Sequence, residues 1–302
     1  MYMKISHLLR STVCAAFVVV LAACGTTSMT VNSNHPANAA TQAVKFQQIR
    51  NATIKVEYAG TTFLVDPMLA PKGAYPGFEG TYNSHLRNPL VDLPMSVSEV
   101  IKADAIVVTH THPDHWDEAA KQGLPKDMPI FTQNETDAAT IRTDGFTNVR
   151  LITENTVFNG TRLSKSHGQH GTSQMMASPL AKILGEASGL VFQRPGYKTV
   201  YVAGDTIWTQ QVEEAIRRYQ PEVIILNTGY ARVLGFEGSI IMGKEDLYRA
   251  SQLAPNAKVI GSHMESVNHA MQTRKDLRDY IAEKSMDPQR VLVPADGQSY
   301  SF

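Results

Sequence analysis

The sequence predicts a layered α/β protein in which mixed β-sheets are covered by helices. Three observations carry that expectation. The chain has 302 residues, 43% of them hydrophobic, enough for a full core. A strand hairpin comes first. After it, short apolar runs that end in polar or glycine residues alternate with segments of helical periodicity.

In chain order, residues 53–58 and 62–65 read as strands joined at Ala59-Gly60. The proline- and glycine-rich stretch 67–94 is too long for a connector and reads as a loop that could cover a substrate. Residues 105–109 form the next strand, and 150–152 a short one. The apolar runs at 199–203, 223–226, 259–260 and 291–293 have the composition of strands buried on both faces. Val212, Ala215, Ile216 and Tyr219 repeat at helical spacing until Pro221 stops them. Leu247, Ala250 and Ala254 mark a second helical face, closed by Pro255. Further helices are expected at 136–141 and 277–281.

The first residues read as a targeting segment, not as part of the fold. Lys4 and Arg10 precede an apolar stretch, 13–23, too short to span a bilayer as a helix. Leu21-Ala22-Ala23-Cys24 resembles a bacterial lipoprotein signal. That resemblance implies a signal peptide over 1–23, a lipid anchor on Cys24, and a position in the cell envelope facing the periplasm. Gly25 in place of Asp resembles the outer-membrane sorting pattern; an ordinary secretory signal is the alternative. Residues 24–43 read as a flexible tether, leaving 44–302 as the folded domain. The only two cysteines, Cys14 and Cys24, fall in the leader, so the body has no disulfide and no thiolate ligand. Lys+Arg and Asp+Glu are both 28, which argues against a nucleic-acid partner.

The chemistry concentrates in His110-Thr111-His112-Pro113-Asp114-His115, directly after an apolar strand. His110 and His112 would point the same way if strand geometry continued through them. Pro113 would bend the chain and aim Asp114 and His115 at a second point nearby. One loop could thus serve two metal ions, an arrangement suited to hydrolysis. Other candidate ligands follow strands: His167 and His170 among glycines, Asp205 after 199–203, and His263 after 259–260. Each has a plainer reading. The histidine run could be a capped helix start, Asp205 a helix N-cap, and His263 a satisfied polar residue.

These motifs resemble the metallo-β-lactamase-fold hydrolases. More narrowly, Gly204-Asp205-Thr206, Asn227-Thr228-Gly229, Ile241-Met242-Gly243 and His263 to His269 resemble the branch containing ascorbate-6-phosphate lactonase. The resemblance covers about residues 49–297. It implies a four-layer αββα sandwich, two mixed sheets flanked by helices. It implies two divalent metal ions, with zinc the default and manganese or iron also found in the fold. His110, His112 and His170 would bind one ion, and Asp114, His115 and His263 the other. Asp205 would bridge them, and Asp66 would hold the histidine loop by hydrogen bonds. Either His167 or His170 supplies the third histidine, with His170-Gly171 closer to the family pattern.

The implied reaction is attack by a metal-bound hydroxide on a small ester, lactone or phosphodiester, with Asp114 or Asp205 holding the proton. A β-lactamase is less suited, because several use a second-site cysteine that this body lacks. The alternative from another class is a membrane-tethered metal- or ligand-binding protein with a vestigial site. His269 reads equally as a substrate contact, a proton donor or a surface histidine. Trp116 is expected to pack behind the motif loop, and His85 and Asn83 to lie in an ordinary exposed loop.

Overall fold

The alternation of strand and helix resolves into two seven-stranded sheets packed face to face. The computed structural model describes residues 43–302. The expected signal peptide and nearly all of the tether, with Cys14 and Cys24, lie outside the described residues. The first half of the chain supplies β1 (Lys45–Arg50), β2 (Thr53–Tyr58), β3 (Thr61–Val65), α1 (Val97–Val100), β4 (Ala105–Val108), α2 (Glu118–Gly123), β5 (Ile130–Thr132), α3 (Glu135–Thr143) and β6 (Val149–Leu151). The second supplies β7 (Val157–Phe158), β8 (Thr161–His167), α4 (Ser173–Met176), α5 (Ala181–Leu184), β9 (Ser188–Gln193), β10 (Val200–Val202), α6 (Gln210–Tyr219), β11 (Val223–Asn227), α7 (Lys244–Leu253), β12 (Lys258–Ser262), α8 (Arg274–Glu283), β13 (Val291–Leu292) and β14 (Ser299–Ser301).

The sheet orders are β14-β1-β2-β3-β4-β5-β6 and β13-β12-β11-β10-β9-β8-β7. Each is mixed. Strands β3 to β6 are parallel in the first, and β10 to β13 in the second. The period-two alternation of a strand then sorts each apolar run to two sides. Val107 faces the core between the sheets, where Phe63 meets Phe192 edge-on at 5.0 Å. Ile106 and Val108 face outward onto a layer with Ala120 of α2 and Ile141 of α3. In the second sheet Val202 and Ile225 face inward, while Tyr201 and Ile224 pack on Val212 of α6 and Leu247 of α7. Burial on both faces explains why these strands read as unbroken apolar runs. The result is the four-layer αββα sandwich.

Several details differ from expectation. The strand at 105–109 stops at Val108, because the Thr109 N–H donates to Asp66 Oδ1 at 2.7 Å instead of continuing a ladder. The short strand at 150–152 is shifted by one residue. Strands β1, β5, β7, β8, β9 and β14 were not anticipated. The long stretch 67–94 is pinned rather than loose. The Arg50 guanidinium donates to the carbonyls of Met68, Ala70 and Val91. The Asn268 side chain accepts from the Phe78 N–H and donates to the Tyr82 carbonyl.

Candidate metal centre

The carboxyl ends of the parallel strands meet along one edge of the sandwich, where sites form in layered α/β proteins. Asp66 follows β3, the histidine run follows β4, Asp205 follows β10, Asn227 ends β11 and His263 follows β12. Strand β8 runs in the same direction as β10 through antiparallel β9, so His170 arrives at that edge as well.

Two groups of donors form there. In each, the residues offer ligand atoms within 4.8 Å of one another. One is His110, His112 and His170; the other is Asp114, His115, Asp205 and His263. His110 Nε2 faces His112 Nδ1 at 3.0 Å, and His263 Nε2 faces His115 Nε2 at 3.2 Å. Asp205 Oδ2 lies between the groups. It is 3.1 Å from His115 Nε2, 3.6 Å from His263 Nε2, 3.8 Å from His170 Nε2 and 4.0 Å from His110 Nε2. Asp114 Oδ2 is 3.3 Å from His263 Nε2 and 3.8 Å from His115 Nε2. All seven side chains are buried except His112, which is half-buried.

Position separates the residues that sequence left as alternatives. His170 enters the cluster, whereas His167 ends β8 with an exposed side chain. Helix α6 is capped by Thr209, not by Asp205, and α2 by Asp117, not by the histidine run. His85 is exposed, and Asn83 donates to the Asn268 carbonyl. Trp116 is buried behind the loop, with Nε1 donating to Asp144.

Partners outside the cluster fix its side chains. Asp66 Oδ2 sits 2.9 Å from His115 Nδ1 and accepts from the Thr109 hydroxyl at 2.8 Å. The Ile240 carbonyl lies 2.8 Å from His170 Nδ1, and the Ile183 carbonyl 2.7 Å from His112 Nε2. These contacts choose the ring nitrogens that face the cluster. Asn227 Nδ2 donates to Asp205 Oδ1 at 2.7 Å, leaving Oδ2 free for the histidines. Asn51, in the β1–β2 turn, adopts φ +56°, a conformation Asn tolerates. Its side chain donates to the Asp114 carbonyl, and its own carbonyl accepts from the His263 N–H. Asn51 was missed by sequence reasoning, and no local signal marks it. Asn227 was visible only as part of the Asn-Thr-Gly resemblance. Gly229 is required by close approach: a Cβ there would fall 2.1 Å from the His263 carbonyl oxygen.

The electrostatics suit a cation. Burial would raise Asp205 and Asp114, but His115 and His263 hold both well below the usual carboxylate range. Burial opposes charge on His115, yet Asp205, Asp114 and Asp66 raise it well above an ordinary histidine. Burial, helped by His115 and His112, lowers His110 well below its ordinary value. Burial also takes His170 down to about 4. Two imidazoles held neutral, His110 and His170, beside buried carboxylates form part of a nitrogen–oxygen donor set for a borderline divalent ion. Buried carboxylates without a cation would be costly. The residues present therefore fit metal.

Comparison with known proteins agrees. Residues 61–264 match the family model of the β-lactamase superfamily domain. The chain is 46% identical over 256 residues to the UPF0173 protein YddR of Bacillus subtilis (strain 168), covering 84% of this chain and 98% of that one. The crystal structure of an isothiocyanate hydrolase from Delia radicum gut bacteria is similar at 48% identity, with TM-score 0.82 and coverage of 85% and 99%. A structure described as a possible metal-dependent hydrolase from Veillonella parvula DSM 2008 is similar at 49% identity, with TM-score 0.84 and coverage of 86% and 99%. None of these three carries the name of an ascorbate-6-phosphate lactonase, so that narrower branch stays a resemblance. The chain belongs to the β-lactamase superfamily and, within it, to the UPF0173 group of metal-dependent hydrolases with the metallo-β-lactamase fold.

Proposed function

We propose that the protein is a dinuclear-metal hydrolase acting on a small, uncharged carbon electrophile: an ester, a lactone or, by likeness to the 48% identical isothiocyanate hydrolase, an isothiocyanate. The observation that carries this reading is the place of Asp205 Oδ2, within 4.0 Å of histidine nitrogens from both donor groups. One ion would be held by His110, His112 and His170, a second by Asp114, His115 and His263, with Asp205 shared. Bound there, divalent ions lower the pKa of water and polarise the group under attack. The residues do the rest. Asp114 or Asp205 would hold the proton that such a water gives up, Asp66 keeps His115 in place, and Asn227 keeps Asp205 turned inward.

Charge supports an uncharged substrate over a phosphodiester. Among the described residues, no lysine or arginine pairs with the cluster or hydrogen-bonds to it. Ile183, whose carbonyl holds His112, instead carries an exposed apolar side chain. A complete donor set also argues against a vestigial binding site. The leader sequence supports a reading in which the protein is exported and lipid-attached through Cys24, facing the periplasm at the outer membrane.

The test is a panel of p-nitrophenyl acetate, δ-valerolactone, bis(p-nitrophenyl) phosphate and benzyl isothiocyanate. Turnover of a carbon electrophile, abolished by chelation and restored by zinc or manganese, is expected. Stoichiometric metal without turnover of any of the four would favour the binding protein.

A further inference from the structure

Among the described residues, His269 is the one buried histidine that the proposed ligand set leaves unused. Its side chain is 6% exposed. Neither ring nitrogen has a hydrogen-bond partner among the described residues, and Nδ1 is fully buried. The Phe78 ring meets it edge-on at 5.1 Å and 90°. The ring nevertheless lies within electrostatic reach of Asp114, His263, Asp205 and His112.

The surroundings make this lack of partners unusual. The backbone carbonyl of His269 accepts from the Arg232 N–H at 3.0 Å. The neighbouring Asn268 uses its whole side chain: Oδ1 accepts from the Phe78 N–H and from Asn88 Nδ2, and Nδ2 donates to Thr81 Oγ1 and the Tyr82 carbonyl. The segment is thus held rigidly while the imidazole within it is left unsatisfied. A buried polar group without a partner costs stability, and folds retain such groups chiefly at functional sites. Burial lowers this imidazole to about 4, so at neutral pH it is uncharged and carries one N–H donor and one acceptor.

We propose that His269 is a further catalytic residue, whose neutral imidazole N–H donates a hydrogen bond to the substrate heteroatom that gains negative charge as the electrophilic carbon is attacked. In an ester or lactone that atom is the carbonyl oxygen; in an isothiocyanate it is the nitrogen or sulfur. Phe78 is the positioning residue that sets the plane of the ring. The proposal rests on the hydrolase reading above, and it adds a donor from the protein to the charge stabilisation supplied at the centre.

The decisive variant is His269→Leu, which removes both nitrogens while keeping the buried volume close. In the metal-loaded enzyme, metal stoichiometry should be unchanged, and the metal-free protein should melt no lower than the unaltered one. kcat for the best substrate of the panel should fall about a hundredfold with KM little changed. His269→Gln, which restores an N–H donor, should recover part of that loss. Inorganic thiocyanate, a linear ligand with acceptor atoms at both ends, supplies a readout independent of turnover. It should bind the metal-loaded His269→Leu variant roughly tenfold more weakly.

A His269→Leu variant with kcat and thiocyanate affinity within twofold of the unaltered enzyme would overturn the assignment. So would activity lost only in step with metal or melting temperature, the mark of a structural role. Should His269→Leu not fold, His269→Gln with full metal and no activity above the uncatalysed rate would equally overturn it. If the unaltered enzyme turns over nothing on the panel, the hydrolase reading fails, and the thiocyanate comparison still decides His269.

Discussion

A carboxylate oxygen placed between two sets of imidazoles is the residue-scale fact that organises this centre. Asp205 Oδ2 holds that place because Asn227 occupies the other oxygen. Asp205→Asn should therefore lower metal content at both positions, read by metal analysis, and reduce turnover by more than a hundredfold. His112→Ala should remove metal and activity together while leaving a folded body, read by circular dichroism. The buried histidines also predict a pH response of the metal-free protein. His170 and His269 lie at about 4 against an ordinary 6.5, and His110 is shifted the same way. Between those values the unfolded chain binds protons that the folded chain refuses, so stability falls as pH drops from 6.5 towards 4. His115 is shifted the other way. Its contribution is complete below its unfolded value and is lost only as pH rises through its raised folded value, so it does not offset the acid-side loss. Chemical denaturation of chelated protein at pH 7 and pH 5 should show the lower midpoint at pH 5.

The seven ligand candidates were legible in the sequence because histidine and aspartate cluster conspicuously at strand ends. Their supports were not. Asn51 and Gln48 are ordinary polar residues in a linear reading, and Asn268 was visible only within the His263-to-His269 resemblance; their side-chain roles come from distant partners, as in the Ser262-to-Gln48 hydrogen bond across 214 positions.

Legibility also varied among the elements. Strands β10 to β13 and β4 announced themselves because both faces are buried and their central positions are apolar or small. Helices α6 and α7 were marked by periodicity and a closing proline. Strand β8, Thr-Arg-Leu-Ser-Lys-Ser-His, has an outer side that stays partly exposed, so its alternation is diluted by polar residues. Strand β9 contains Gly189, whose missing side chain makes room for Ser166 Oγ. Strand β14 is a three-residue edge with a single half-buried tyrosine. The 67–94 segment carried a second lesson. Its prolines and glycines suggested a loop that could cover a substrate, and Arg50 and Asn268 tie that loop down through long-range hydrogen bonds. Asn268→Ala should cost about 2–3 kcal/mol by stranding several buried partners. Limited proteolysis should then cut within 75–88, where the unaltered protein resists.

At the scale of the whole molecule, the sandwich exists to bring two sets of strand ends to one edge. Four of the seven donors follow a strand of one sheet and three follow strands of the other, so the inter-sheet core sets the distance between them. Phe192, buried between the sheets and packed on Phe63 and Tyr58, is central to that spacing. Phe192→Ala should destabilise by about 3–5 kcal/mol in thermal or denaturant unfolding. It should also weaken metal retention, although it touches no ligand. Cys24→Ser should leave catalysis intact and move the protein from the membrane to the soluble fraction, checked by fractionation of expressing cells.

The central claim is that both sheets contribute to one dinuclear centre around Asp205. Crystallography with anomalous data at the zinc and manganese edges tests it most directly. Two peaks are predicted, one within coordination distance of His110, His112 and His170 and one within that of Asp114, His115 and His263, with an Asp205 oxygen reaching both. A single peak, or ions bound away from these side chains in saturating divalent metal, would contradict the account.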